Sequence, residues 1–362
     1  MNKYRSCTLC FLGISVFFAI GSVCLTYVID PFCIWHMPWF KHHKYHYNQL
    51  MNIGIVNTIL PNNPEIDTFI GISSHFQDIP LIPSDKAVNG YVSSGSYLDF
   101  EWLFDKLLSI DSVKHIVYSF ELFWVEPRFQ KAFLNTENVL LRSISWSFKT
   151  ILSYLGIKKH EGKNHILGWS YRWGEPSFQK AQRNFWKKAK EIKLFQNFEE
   201  QKISEEQKAT FGEIIDKHIL PHVLKAKNKT FHFVIPPYSF IRFLETELTL
   251  QYVYLQRLLV EKLSNVENVK IYGFYDCDFV QNLANYYDSH HAQPDIVRFY
   301  FYCTKRNWHR LTLDNYDNYE KKMLNALKTF KVKDVYLPMD RFTNLVKLEE
   351  EKHNRSIPNT EL

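Results

Sequence analysis

The longest apolar run in the chain is Ser6 to Ile29, 24 residues without a charge, entered after Lys3 and Arg5 and left at Asp30-Pro31. As a helix, a run of that length is long enough to cross a bilayer. The basic residues precede it, so the positive-inside rule keeps the amino terminus in the cytoplasm and sends residues 30–362 outward. The pattern predicts an uncleaved signal anchor. Ala19-Ile20-Gly21 offers the small residues of a cleavable signal peptide, but the apolar stretch continues unbroken through Val28. Cys24 follows the bulky Val23, where lipidation needs a small residue.

Beyond the anchor the period shortens. Thr68 to Ile72 reads as a buried strand, Lys86 to Val92 as a second strand that enters the turn Ser93-Ser94-Gly95-Ser96, and His115 onward as a third that ends near Ser119 and Glu121. Leu98, Trp102, Leu103, Leu107 and Leu108 recur at helical spacing between the second and third. Strand-helix-strand repetition predicts a parallel sheet. From Glu126 to about Leu224 the chain turns aromatic, Lys-rich and helical, which reads as an inserted subdomain or lid. Within it, Phe185 to Phe195 is amphipathic with lysines on one side, which reads as a solvated face packed on its own domain or as a surface for a membrane or a partner protein. Thr230 to Ile235, a long helix through Leu263 and a strand at Val269 to Phe274 resume the α/β pattern, and Asn315 to Phe330 reads as a final helix. The predicted fold is an α/β three-layer sandwich with a central, mostly parallel sheet. Residues 1–29 form the stub and anchor, 30–65 a juxtamembrane segment, 66–336 the α/β domain with its insertion at about 126–224, and 337–362 a polar tail.

Composition narrows the chemistry. The net charge of +6 is spread along the chain and no nucleic-acid motif accompanies it, so nucleic acid is not an expected partner. Three of the six cysteines fall inside the apolar run, which leaves the odd set Cys33, Cys277 and Cys303 and no disulfide scaffold. His36, His42, His43 and His46 lie among Trp39, Phe40, Tyr45 and Tyr47 directly after the apolar run. Such aromatic and basic clusters anchor a membrane helix at the headgroup level, and no metal is expected there. No P-loop, zinc-type His-Glu-x-x-His or Rossmann glycine fingerprint occurs, and no cofactor is expected.

Two distant segments carry candidate chemistry. Thr68 to Ile72 runs into Ser73 and Ser74, placing a hydroxyl at the carboxyl end of a strand, where open α/β sheets build their sites. More than 200 residues later, Asp288-Ser-His-His291 puts a carboxylate and an imidazole on one loop, so the acid can orient the base and the base can reach the serine. Ser73 or Ser74 also suits a helix cap.

In these blocks and their order the chain resembles the SGNH/GDSL hydrolase superfamily, in particular its membrane-anchored bacterial branch, over most of residues 27–300. That group includes envelope acyl-transfer proteins of the D-alanyl transfer and alginate acetylation type. The resemblance implies Ser73 as nucleophile with Ser74 as alternate, Asp288 and His291 as the rest of the triad with His290 as alternate, and Gly95 with Asn89 at the oxyanion hole. The family's Gly-x-Asn-Asp block is absent, and Ser119-Phe120-Glu121 stands in its place. Glu121 there points away, is protonated or serves another role. The implied activity is acyl-ester hydrolysis or O-acyl transfer on an envelope polysaccharide or lipid, at the outer face of a bacterial cytoplasmic membrane, with a multispanning acyl-donating partner if transfer is the reaction. The alternative is a non-catalytic envelope protein that uses the same cleft to hold a polymer.

Overall fold

The computed structural model of the protein describes residues 2–37, 39, 49–72, 86–91, 96–127, 139–155, 157, 175–335 and 337–355. Helix α1 (Asn2–Ile29) contains the apolar run, and its portion Cys7–Ile29 is the only segment among the described residues long and apolar enough to cross a membrane. Cys7 and Cys10 have the spacing of a redox pair, but both are exposed and unbridged.

The helix ends for a local reason. Asp30 takes a positive φ of 35°, and its carboxylate accepts the main-chain N–H groups of Ile34 (2.9 Å), Trp35 (2.9 Å) and His36 (3.2 Å). This turn delivers Phe32 and Cys33 into the protein interior, fully buried. Helix α2 (Gln49–Gly54), a π turn (Ile55–Ile59) and α3 (Leu60–Asn62) follow. A Cβ at Gly54 would sit 1.7 Å from the Phe32 carbonyl oxygen, so only glycine permits this approach. Met51, Ile55, Ile59 and Leu60 join the same hydrophobic cluster as the sheet. The core therefore begins at Phe32, before the boundary expected at residue 66, because the apolar residues of the juxtamembrane segment pack into the domain.

Strands β1 (Thr68–Ile72), β2 (Ala87–Tyr91), β3 (His115–Ser119), β4 (Thr230–Val234), β5 (Val269–Tyr272) and β6 (Arg310–Leu311) form one sheet in the order β2-β1-β3-β4-β5-β6. The first five are parallel and β6 is antiparallel to β5. The first five strands fall where the apolar runs place them; β6, two residues long, has no period to read. The order reverses between β1 and β3, which makes the carboxyl ends of those strands the topological switch point of the sheet. Gly71 and Gly90 are partners across β1 and β2, and the ring of Phe69 fills the space a Cβ at Gly90 would occupy, 2.2 Å away.

Helix α4 (Tyr97–Leu108) starts at a capping box in which Ser96 Oγ accepts Leu98 N–H (3.2 Å) and Asp99 accepts Ser96 N–H (2.8 Å). Its buried Phe100 and Phe104 pack on Tyr118 of β3. Helices α5 (Val139–Tyr154), α6 (Glu175–Ala189), α7 (Glu205–His218) and α8 (Leu220–Lys225) lie in the stretch read as an insertion, which contains no strand among the described residues. Helices α7 and α8 pack on α4, so the last part of that stretch belongs to the crossover between β3 and β4.

Helices α9 (Phe240–Leu244), α10 (Thr249–Leu263), α11 (Pro294–Lys305) and α12 (Leu313–Thr329) follow. Where a polar tail was expected from residue 337, α13 (Phe342–Arg355) docks on α11. Its few inward residues suffice: Leu345 is buried, and His353 stacks on Trp308 with ring centroids 4.3 Å apart.

Candidate active site at the carboxyl edge of the sheet

The loop holding the Asp-x-x-His motif is a small closed turn. Tyr286 and Ala292 form an antiparallel bridge, Tyr287 N–H donates to His291 O (2.8 Å), and Gln293 N–H donates to Asn285 O (2.8 Å). At its tip Asp288 Oδ1 accepts the main-chain N–H groups of His290 and His291, each at 2.8 Å. The short aspartate side chain thus folds the backbone back on itself, which is why Asp suits this position. The same carboxylate lies against the His291 imidazole, with Nδ1 at 2.9 Å from Oδ1 and 2.8 Å from Oδ2. Asp288 therefore holds His291 by Nδ1, leaving Nε2 as the ring atom directed away from the carboxylate.

His290 is placed differently. Its Nδ1 lies 2.9 Å from Ser289 Oγ, which donates to Glu245 (3.1 Å), and its ring stands edge-on to Tyr238 at 6.4 Å. Of the two adjacent histidines, His291 is the one whose ring lies against the Asp288 carboxylate.

Burial works against ionisation of Asp288, but the hydrogen bond and charge of His291 and the two amides outweigh it and pull its pKa down to about 2. Burial likewise opposes the Glu349 carboxylate, and His309 and Lys352 overcome it, again to about 2. Both groups bind protons more weakly folded than unfolded. Their contribution to stability is complete above the ordinary carboxylate range, near pH 4 to 4.5, and disappears as pH falls through about 2. Thermal unfolding followed from pH 5 down to pH 2 is expected to show a steep loss of Tm across that window, with a shallower slope in Asp288→Asn.

The loop is tied to the ends of neighbouring strands. Ser239, just past β4, donates to Ser289 O through its N–H (3.2 Å) and its hydroxyl (3.1 Å). Tyr238 donates its hydroxyl to Glu121, as does Ser119 at the end of β3. Glu121 is completely buried, so it serves as an internal acceptor joining β3 to the segment after β4. Burial, and then the adjacent Glu121, push the Tyr238 phenol well up, so it remains a donor. Behind Ser289, Arg242 is buried between Glu126 and Glu245, and Tyr252 OH also donates to Glu126 (3.0 Å). Burial pushes the Glu245 carboxyl up, and Arg242 and Ser289 hold it partly back.

Asn89 is the middle residue of β2, paired with Ile70 and buried. Ser73, Ser74 and Gly95 lie outside the described residues; β1 ends at Ile72, immediately before Ser73. Neighbouring strands are roughly 4.8 Å apart, so β1 and β4 stand about 10 Å from one another with β3 between them. The loop tied to the segment after β4 lies at the carboxyl edge of the sheet.

Tyr238, Ser239, Arg242, Glu126, Glu245 and Ser289 were not singled out as site residues from the sequence. The only signal for them was Pro236-Pro237-Tyr238 at a strand end. At the juxtamembrane cluster, His36 stacks on Trp39 at 4.0 Å, and its ring nitrogens meet Met37 O (2.7 Å) and Tyr27 O (2.6 Å). His42, His43 and His46 lie outside the described residues. A separate group, Asp276, Cys277 and His309, brings its ligand-type atoms within 4.8 Å of one another. Burial and then Asp276 push the Cys277 thiol well up, which favours a protonated hydrogen-bonding role there.

Compared with known proteins, the chain matches no family model, no curated protein and no solved structure.

Proposed function

We propose that this chain is a membrane-anchored, serine-dependent acyl-ester hydrolase or O-acyltransferase of SGNH-like, three-layer architecture, acting on a cell-envelope polysaccharide or lipid. The single observation that carries the reading is the Asp288–His291 pair: a carboxylate fixed by two amides holds Nδ1 of an imidazole, on a loop tied to the carboxyl edge of a parallel sheet. That arrangement turns Nε2 into an oriented general base. Ser73, following β1 at the switch point, is the nucleophile; His291 takes its proton, the serine oxygen attacks the acyl carbon, and the leaving alcohol receives the proton from His291. Water or a glycan hydroxyl then accepts the acyl group by the same steps reversed. Gly95 is assigned to the oxyanion, and Asn89, buried in the middle of β2, to a supporting role. Glu121 supports the loop through Tyr238 and takes no part in the chemistry. The reaction needs no cofactor, and transfer would require a multispanning membrane partner to deliver the acyl group.

A non-catalytic polymer-binding role finds support in one observation, that a buried carboxylate stands at the end of β3 where the resembled family carries an amide donor. The two readings separate when the purified full chain in detergent is incubated with an activated acyl ester. An acyl adduct located at Ser73, absent from Ser73→Ala of unchanged Tm, is the expected outcome. Lack of any adduct favours the binding role, and loss of folding in Ser73→Ala assigns the residue to a cap.

A further inference from the structure

Helix α5 has its polarity inside out. Ser143, Ser147 and Thr150, spaced four and three residues apart on one face, are buried, while Leu141 (66 %), Phe148 (46 %), and Leu155 (66 %) and Ile157 (69 %) just beyond the helix are exposed. A helix on a water-facing surface shows the reverse. Helix α5 packs against α1. On α1 the covered positions are Ser22, Leu25, Thr26 and Ile29, one stripe on its last two turns, whereas Cys7 to Gly21 are exposed throughout. The two helices are in contact, and the covered positions on each include a small-residue pair four apart, Ser22-x-x-x-Thr26 and Ser143-x-x-x-Ser147, the spacing that lets membrane helices approach closely. Ser143 Oγ and Ser147 Oγ have no hydrogen-bond partner among the described residues, so this contact is one of shape. Trp146 extends it by meeting Phe32 edge-on at 6.1 Å.

We propose that α5 is a second membrane-embedded element, inserted in the leaflet on the domain's side and covered there by lipid acyl chains. This rests on the reading of α1 as a retained membrane anchor. The occupant follows from continuity: the apolar surface of α5 adjoins a helix whose own exposed apolar residues require hydrocarbon. With 16 residues, α5 is about 24 Å long, short of the roughly 30 Å hydrocarbon core, so it does not cross. Its contact with α1 spans Ser22 to Ile29, about 10 Å of depth, which fits one leaflet. Charge agrees. From Asn138 to His160 there is no acidic residue, and Arg142, Lys149, Lys158 and Lys159 suit anionic headgroups. Lys149 Nζ lies 4.2 Å over the Trp146 ring, the aromatic and basic pairing found at membrane interfaces.

The test places the full chain in vesicles of zwitterionic and anionic phospholipid that include a lipid with a photoreactive group on its acyl chain. Mass spectrometry then locates the adducts. The proposal expects adducts on both α1 and the Leu141–Ile157 stretch, with those on α5 lost in Leu141→Lys/Phe148→Lys while those on α1 persist. Adducts on α1 alone would overturn the proposal and leave the anchor reading intact, pointing to a protein partner over α5. Adducts on neither helix would overturn both.

Discussion

Asp288→Asn is expected to lower turnover of an acyl ester by about 10⁴-fold, the loss typical when the acid of a serine triad becomes an amide, while the protein stays folded. The reason lies in the two jobs of Asp288. Its Oδ1 accepts the amides of His290 and His291, and an asparagine oxygen accepts them equally well, so the turn survives. Its charge faces His291 Nδ1, and the amide neither stabilises the imidazolium that forms on attack nor keeps the proton on Nδ1. The measurement is kcat of purified wild-type and variant chains at a temperature well below both unfolding transitions. A loss under tenfold would remove Asp288 from the mechanism. Under the same conditions His290→Gln is expected to change turnover little, since the His290 ring is turned to Ser289 and Tyr238.

The largest expected effect on stability belongs to Arg242→Met. The guanidinium is buried between Glu126 and Glu245, with the Tyr252 ring centroid 5.6 Å away. Methionine approximates its stem but leaves two half-enclosed carboxylates facing each other without a cation, a situation that costs about 3–5 kcal/mol. In a domain of this size that corresponds to a Tm lowered by roughly 10 °C. Glu245 also accepts Ser289 Oγ, so the loop carrying Asp288 and His291 loosens with it, and turnover falls along with stability. Combining Arg242→Met with Glu126→Gln removes one of the stranded charges and is expected to recover part of the loss. A change below 1 kcal/mol by denaturant unfolding would show that the cluster is not holding the loop.

The fold was legible where apolar period and length spoke together. Five strands and the helix of Leu98 to Leu108 follow from runs such as Thr68–Ile72 and His115–Ser119, because a strand buried in a parallel sheet must be apolar along its length. Elements that depend on a few inward residues were not legible. Half of helix α13 is Lys, Glu and Asn, and only its packing on α11 identifies it. Residues 49–62 read as part of a juxtamembrane segment until Phe32 is seen against Gly54. For the site, the spacing of Asp288 and His291 was sufficient to suggest their pairing, since three residues in a turn place both groups on one side. Nothing in the sequence joined Glu121 to Tyr238 or Ser239 to Ser289, which lie 117 and 50 positions apart. Such contacts exist only once β3 and β4 are neighbours.

The central claim is that Ser73 is a nucleophile activated by His291. Treating the purified full chain with a fluorophosphonate probe and locating the modified peptide by mass spectrometry tests it most directly. Covalent modification is expected at Ser73 in the wild type and is expected to be lost in His291→Ala of unchanged Tm. Modification that persists in His291→Ala, or that falls on another residue while Ser73 stays unmodified, would contradict it.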